Sequence, residues 1–298
     1  MLANPIVLFI QVMNALSLGM SLFVIAAGLT LIFGVLRIVN FAHGAFYMVG
    51  AYLAYTVVQT FGDTNLGFFL GVAGAGLGMG LIAFLIERFL LTRLYDKDPM
   101  LQLLLTFALV MILRDAVRMV WGSDQHSIST PPALSGAVNL GLTYYPTYML
   151  FLLVLGPIVA FALWFGIERT RWGRIARAAR LDREMLSALG VDVNLVYAAV
   201  FVVGSMLAAI GGALAAPRSA VDPGMDALVI IDCFIIVVIG GLGSLIGSFV
   251  GALILGFLTI FGSFYLQEWV IVASYAMMVF ILILRPWGLF GQSDEVRH

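Results

Sequence analysis

The sequence predicts an all-α polytopic membrane protein: eight or nine transmembrane helices with one further helix on the cytoplasmic side. Three observations carry that prediction. Of the 298 residues, 62% are hydrophobic and 10% are charged, whereas soluble domains carry about 25% charged residues. Mean hydropathy is +1.09. Six of the fifteen Lys and Arg residues (Arg169, Arg171, Arg174, Arg177, Arg180 and Arg183) crowd into one stretch between apolar runs. Cationic side chains resist translocation, so a basic loop between spans marks the cytoplasmic face.

A spanning helix needs about 20 apolar residues. Segments of that kind run over 6–34, 40–59, 66–86, 100–121, 146–167, 193–216, 227–243, 244–264 and 268–285. The first is long enough to be tilted or broken. The seventh and eighth meet at Gly240-Gly241-Leu242-Gly243-Ser244 and read as two spans, or as one span plus a re-entrant piece. The whole chain, 1–298, reads as one transmembrane domain. Cys233 is the only cysteine, so no intrachain disulfide can form. The opening MLANPIV lacks the basic region of a cleavable signal peptide.

Loop charge sets the orientation. Arg88, Arg93 and Lys97 lie in the loop Glu87–Asp98, the arginine cluster in the loop 168–192, and Arg285 and Arg297 at the C-terminus. All three regions are assigned to the cytoplasm. The loops 60–65 and 122–145 contain no Lys or Arg and are assigned outside. Nine spans, with the N-terminus outside (periplasmic in a bacterial inner membrane) and the C-terminus inside, fit these loops. The outer loop, with Pro131-Pro132 and Tyr144-Tyr145-Pro146, reads as irregular structure with an aromatic anchor at the interface.

Small residues four apart let helix backbones approach closely in lipid. Gly67 and Gly71, Gly74 and Gly78, and Gly76 and Gly80 have that spacing, as do Gly243, Gly247 and Gly251. Packing within the chain and packing against a second membrane subunit both fit it.

Polar residues inside apolar runs are the candidate functional residues, because the bilayer penalises them. Asn40 and His43, three apart, share a helix face. They either cap a helix and bond to a neighbouring carbonyl, or line a pathway near the cytoplasmic end. Asn14, Ser17 and Ser21 form a stripe on the first span that either bonds back to the backbone or faces a solute path. Asp115 and Arg118 can pair at i,i+3, and Asp232 is read near the outer start of the seventh span. In the basic loop, Arg174–Leu189 reads as a single helix ended by Gly190 in left-handed geometry. Ile175, Ala178, Met185 and Leu189 fall near one face, and Arg180 and Glu184 pair at i,i+4. Such a helix either rests on anionic lipid or docks a cytoplasmic partner. Lys97 is the only lysine and has no glycine-rich approach, which excludes a phosphate-cradling loop. No His-Glu-x-x-His motif or cysteine cluster supports a metal site, and no nucleophile–base pair supports an intramembrane enzyme.

Three stretches together resemble the LivH-type permeases of branched-chain amino acid ABC importers, over nearly the whole chain. The first runs from Gly28-Leu29-Thr30-Leu31-Ile32-Phe33-Gly34 into Asn40-Phe41-Ala42-His43-Gly44, preceded by Asn14, Leu16 and Gly19. The second is Arg183-Glu184-Met185 through Leu189-Gly190-Val191. The third is Val238-Ile239-Gly240-Gly241-Leu242-Gly243-Ser244 with Gly247. The resemblance implies a permease without a bound cofactor, with ATP used by separate ATPase subunits. It also implies a periplasmic solute-binding protein and a second, LivM-like permease (or a second copy), with membrane lipid around the permeases and no nucleic acid. Its coupling residues would be Arg174, Arg177, Arg180, Arg183, Glu184, Leu189 and Gly190, and its pathway residues Asn14, Ser17, Ser21, Asn40, His43 and Asp232. Two departures loosen the solute assignment: Met20-Ser21-Leu22-Phe23-Val24-Ile25 replaces an alanine-rich run containing tyrosine, and Arg180-Leu181-Asp182 differs from the commoner pattern. Branched-chain or related neutral amino acids are the first expectation. Urea, amides or aromatic acids are the alternative within the family, and a facilitative channel or a secondary carrier is the alternative outside it.

Overall fold

Lipid offers the backbone no hydrogen-bond partners, so each apolar segment must close its own bonds as a helix. A computed structural model describes residues 5–95, 97–265 and 267–291; Arg297, one of the expected cytoplasmic cations, lies outside them. The described residues form eleven α-helices: α1 (Pro5–Leu36), α2 (Ala42–Phe61), α3 (Asn65–Phe89), α4 (Pro99–Trp121), α5 (Thr147–Arg169), α6 (Arg171–Leu181), α7 (Arg183–Ala188), α8 (Val193–Ala215), α9 (Met225–Gly240), α10 (Leu245–Tyr265) and α11 (Val270–Leu284). Each of the nine apolar segments read from the sequence coincides with one helix. Seven helical stretches are long and apolar enough to cross a membrane. The exceptions are α2, which is long enough but less apolar, and α9, whose 16 residues extend about 24 Å. Helix α1 is one unbroken helix of 32 residues.

The helices stack on α1. It packs against α10, α8, α5 and α9, while α2 packs against α3, α8, α9 and α4. The four-residue glycine spacing serves these intramolecular contacts. Gly71 meets Ala54 and Val58 of α2, and Gly76 and Gly80 meet Ile210 and Met206 of α8. Gly251 meets the Ile236 carbonyl across the α9–α10 crossing. The joint at 240–244 is a tight turn between two helices; Gly241 and Gly243 hold it with φ of 104° and 81°.

Helix ends sort into two groups. At one end Gly34 touches Gly243, Tyr95 packs on Tyr197 with centroids 5.1 Å apart, and the Leu289 amide donates to the Ile239 carbonyl at 2.9 Å. Arg88, Arg93, α6, α7 and Arg285 belong to this basic end. At the opposite end Trp121 Nε1 donates to Thr56 Oγ1 at 2.8 Å, and His126 bridges Val221. Arg218, outside the three basic loops, lies at this end.

The outer-loop expectation needs correction. Residues 122–145 contain a short antiparallel hairpin pair, β1 (Ala137–Asn139) with β2 (Tyr144–Pro146), so the fold is all-α but for these six residues. Tyr145 does not anchor the interface: it is 1% exposed and donates to Asn14 Oδ1 at 3.0 Å. A strand alternates its side chains between two faces, which sends Tyr144 outward and Tyr145 onto α1.

The basic loop also differs. Asp182 leaves helical geometry (φ −150°, ψ 100°) and accepts the Met185 amide at 2.8 Å, so α6 and α7 are separate helices rather than one over Arg174–Leu189. The break puts Arg180 and Glu184 on different helices, which removes the basis of the expected i,i+4 pair. Gly190 does take left-handed geometry, with φ of 83°.

Candidate functional site

Three groups of polar residues sit at different depths of the bundle. Nearest the end opposite the basic loops, Asn14 and Ser17 of α1 meet β2 and α5. Tyr145 Oη bonds Asn14, lies 3.4 Å from Ser17 Oγ, and Ser17 Oγ donates to the Met149 carbonyl at 2.9 Å. Burial raises the Tyr145 pKa above the ordinary phenol value, while the Ser17 bond and the charge of Arg218 oppose the shift. Ser21, one turn deeper, is half-buried and makes no part of this cluster.

Deeper in the bundle, Asn40 and His43 are fully buried. Asn40 Oδ1 accepts the Ala42 amide at 3.1 Å and so caps α2. His43 Nε2 crosses to the Ile25 carbonyl of α1 at 2.9 Å. Among the described residues, their remaining nitrogens, Asn40 Nδ2 and His43 Nδ1, have no partner. Thr30 Oγ1 and Ser248 Oγ, 2.5 Å apart, tie α1 to α10 at similar depth; sequence reading missed this pair, since small hydroxyls on long apolar helices carry no spacing signal.

Asp232 is half-buried and is the eighth of the sixteen residues of α9. It therefore lies at the middle of the helix, not near its outer start as the sequence suggested. The helix begins at Met225, ahead of the apolar run, because the first turn buries the polar Asp226. Asp226 is the residue the sequence reading passed over: its Oδ2 accepts Arg114 Nη2 of α4 at 2.8 Å, with the Asp226 side chain 3% exposed. Asp115 and Arg118 do approach at 3.5 Å, with both side chains largely exposed.

At the basic end, α6 lays Gly173, Ala176 and Ala179 on the bundle, and α7 buries Leu186. The buried face differs from the expected one, because Met185 and Leu189 point away and stay 62% and 75% exposed, with Leu181 at 68%. Arg177 pairs with Glu168 at 2.9 Å and donates to the Ile167 carbonyl. The Arg183 guanidinium lies 5.7 Å over the Tyr197 ring, a cation–π distance, and donates to Asn194 Oδ1. On the same side, Glu87 accepts from Tyr95 Oη at 2.8 Å and from Thr92 Oγ1 at 3.1 Å. Burial, then the Glu87 charge, push the Tyr95 phenol well up. A cleft of about 510 Å³ opens between α1, α5, α6 and the α9–α10 turn, with Arg177, Arg180, Glu168 and Trp164 in its wall.

The family model for the permease component of branched-chain amino acid transport systems matches residues 11–283. The chain belongs to this family. It is 29% identical over 296 residues to the high-affinity branched-chain amino acid transport permease BraD of Pseudomonas aeruginosa, covering 95% of this chain and 96% of that protein. It is 28% identical over 299 residues to the LivH permease of Salmonella typhimurium, with the same coverage. A chain of PsaBC from Streptococcus pneumoniae, solved in complex with Fab, shares the fold at TM-score 0.50 and 12% identity, over 96% of this chain and 94% of that one. This permease component is thus a multi-pass membrane protein of a transport system.

The stretches that carry the resemblance to the LivH family are largely packing devices. A Cβ at Gly28 would strike the Gly204 carbonyl of α8 and crowd the His43 ring, and Gly34 touches Gly243. Gly240 and Gly247 bring the backbones of α9 and α10 into contact. The family signature fixes how α1, α2, α8 and the α9–α10 turn meet.

Proposed function

We propose that this chain is the membrane-spanning permease subunit of an ATP-driven importer that carries branched-chain or related neutral amino acids. In this reading a periplasmic binding protein delivers the solute to the end bearing 122–145. The solute crosses between this subunit and a LivM-like partner or second copy, and ATPase subunits bind the basic end. The nine helices α1–α5 and α8–α11 all cross the bacterial inner membrane, with α1 starting outside and α11 ending in the cytoplasm. Asn14, Ser17, Ser21 and Asp232 border the path, and Asn40 and His43 hold α2 against α1 beside it.

One observation carries this reading. The α6–α7 unit leaves Leu181, Met185 and Leu189 exposed next to Arg174, Arg180, Arg183 and Glu184, while its other side is seated on α1 and α8. Apolar residues left bare at the centre of a charged surface are the composition of a protein interface, whose core is apolar and whose rim is polar. A unit fixed on one side and open on the other can pass a partner's movement to the bundle, provided the partner contacts it differently in two states.

Reconstitution in proteoliposomes tests the reading. With the cognate ATPase, partner permease and loaded binding protein, L-leucine uptake should require ATP, and hydrolysis should rise when the loaded binding protein is added. Accumulation of solute against a gradient by this chain alone would overturn it.

A further inference from the structure

A carboxylate in the middle of an apolar helix within the bilayer needs a counter-charge or water. Helix α9 extends about 24 Å, which leaves Asp232 roughly 12 Å from either end. An acid facing lipid at a helix centre costs about 2.5–3.5 kcal/mol on insertion scales. Among the described residues no group bonds to or pairs with the Asp232 carboxylate. The other intramembrane acid of α9, Asp226, has its arginine; Asp232 has none.

Helix α9 packs on α10, α2, α1 and α11, yet Leu228, 70% exposed, and Ile231 leave a bare stripe one turn above Asp232. Asp232 sits at the edge of that stripe, half-buried. An unpaired acid makes that stripe costly to cover with lipid; water and a passing solute cover it at less cost.

We propose that Asp232 faces the translocation path and holds the ammonium group of a zwitterionic solute at the middle of α9. This rests on the importer reading above and adds to it the residue that holds the solute's ammonium group. A single unpaired carboxylate suits transport, because one charge contact holds the ammonium group without trapping the solute. The carboxylate also explains why an amino acid, rather than a neutral solute such as urea, would be carried: the neutral solute offers nothing to offset its charge.

Two experiments on the reconstituted complex test this. Cys233 is the only cysteine and is buried, so Cys233→Ala gives a cysteine-free background into which Asp232→Cys is introduced. A cationic, membrane-impermeant thiosulfonate added from the outside should label that thiol. No labelling in any transport state means that the position faces lipid or a covering chain, and overturns the proposal. In the second experiment ATP-dependent uptake is measured with L-leucine and with urea. Asp232→Asn should lower leucine uptake tenfold or more, and Asp232→Glu should keep it within about threefold of the parent, with both variants assembling in normal yield. Equal leucine uptake by parent and Asn variant overturns the proposal and leaves the importer reading intact. Uptake of urea but not leucine by the parent overturns the proposal together with the amino-acid part of the importer reading. Absence of ATP-dependent uptake of any probe by the parent complex removes the importer reading itself.

Discussion

Replacing both Met185 and Leu189 by alanine should detach the ATPase from the permease without harming the permease. These side chains are 62% and 75% exposed, so they stabilise little in the isolated fold. Fully burying a leucine or methionine is worth about 1.5–3 kcal/mol. With roughly two-thirds of each side chain still to be covered, and part of that retained by alanine, each truncation should cost about 1 kcal/mol of binding. The pair together should cost about 2 kcal/mol, which is roughly a thirtyfold rise in Kd. The assay is the affinity of purified ATPase subunit for nanodisc-embedded permease, with thermal unfolding of the permease as the control. A Kd within twofold of the parent, at unchanged unfolding temperature, would refute the claim that these residues lie in the docking surface. Retained affinity together with permease loss from the membrane would instead assign the patch to lipid.

Asp182→Ala removes the cap of α7, a change worth about 1 kcal/mol in a helix of only six residues. We expect faster hydrogen exchange across 183–188 and a fall in uptake per ATP hydrolysed; unchanged exchange would show that packing alone holds α7. Arg114→Gln strands the Asp226 carboxylate, and breaking such pairs costs about 3–5 kcal/mol when both members are buried. Arg114 is one-third exposed, so about 2–3 kcal/mol is expected by thermal or denaturant unfolding, with partial recovery on adding Asp226→Asn. Gly28→Ala should destabilise by about 1–3 kcal/mol through overpacking against the Gly204 carbonyl, read as a lower unfolding temperature, and the larger Gly28→Val should do so more strongly.

The spans were legible because the solvent dictates them. Each helix in lipid must be apolar for about 20 residues and must satisfy its own backbone, so hydropathy finds it: 100–121 became Pro99–Trp121, and 193–216 became Val193–Ala215. The close approach of helices through glycine was legible for the same reason. Pairings across the sequence were not. Arg114 and Asp226 are 112 residues apart, and nothing local to either names its partner. The Asp182 break did leave a signal, since aspartate is a preferred N-cap, but the arginine periodicity running through it reads as one helix. Tyr145 was misassigned because interface tyrosines and buried tyrosines share a composition; only the strand register separates it from Tyr144.

The two ends of the proposed machine meet at one turn. Arg180 of α6 lies against Gly243, and Gly243 belongs to the turn that closes α9. The last turn of α9 is tied further by the Leu289 and Phe290 amides, which donate to the Ile239 and Gly240 carbonyls. In the proposed machine a push on α6–α7 would reach α9 through the Arg180 side chain and this turn, where the absence of side chains at Gly240, Gly243 and Gly247 brings the backbones into contact. Coupling of this kind needs a contiguous element with two arrangements, and α9 is the helix that bears Asp232. The two substitutions should accordingly fail in different ways. Loss of the Asp182 cap weakens the input, so ATP is hydrolysed with less solute moved, whatever the solute. Loss of the Asp232 charge leaves the input whole and removes the hold on an ammonium group, so the defect should follow the chemistry of the solute. A solute-dependent defect from Asp182→Ala would mean that the basal end shapes the path itself rather than driving it.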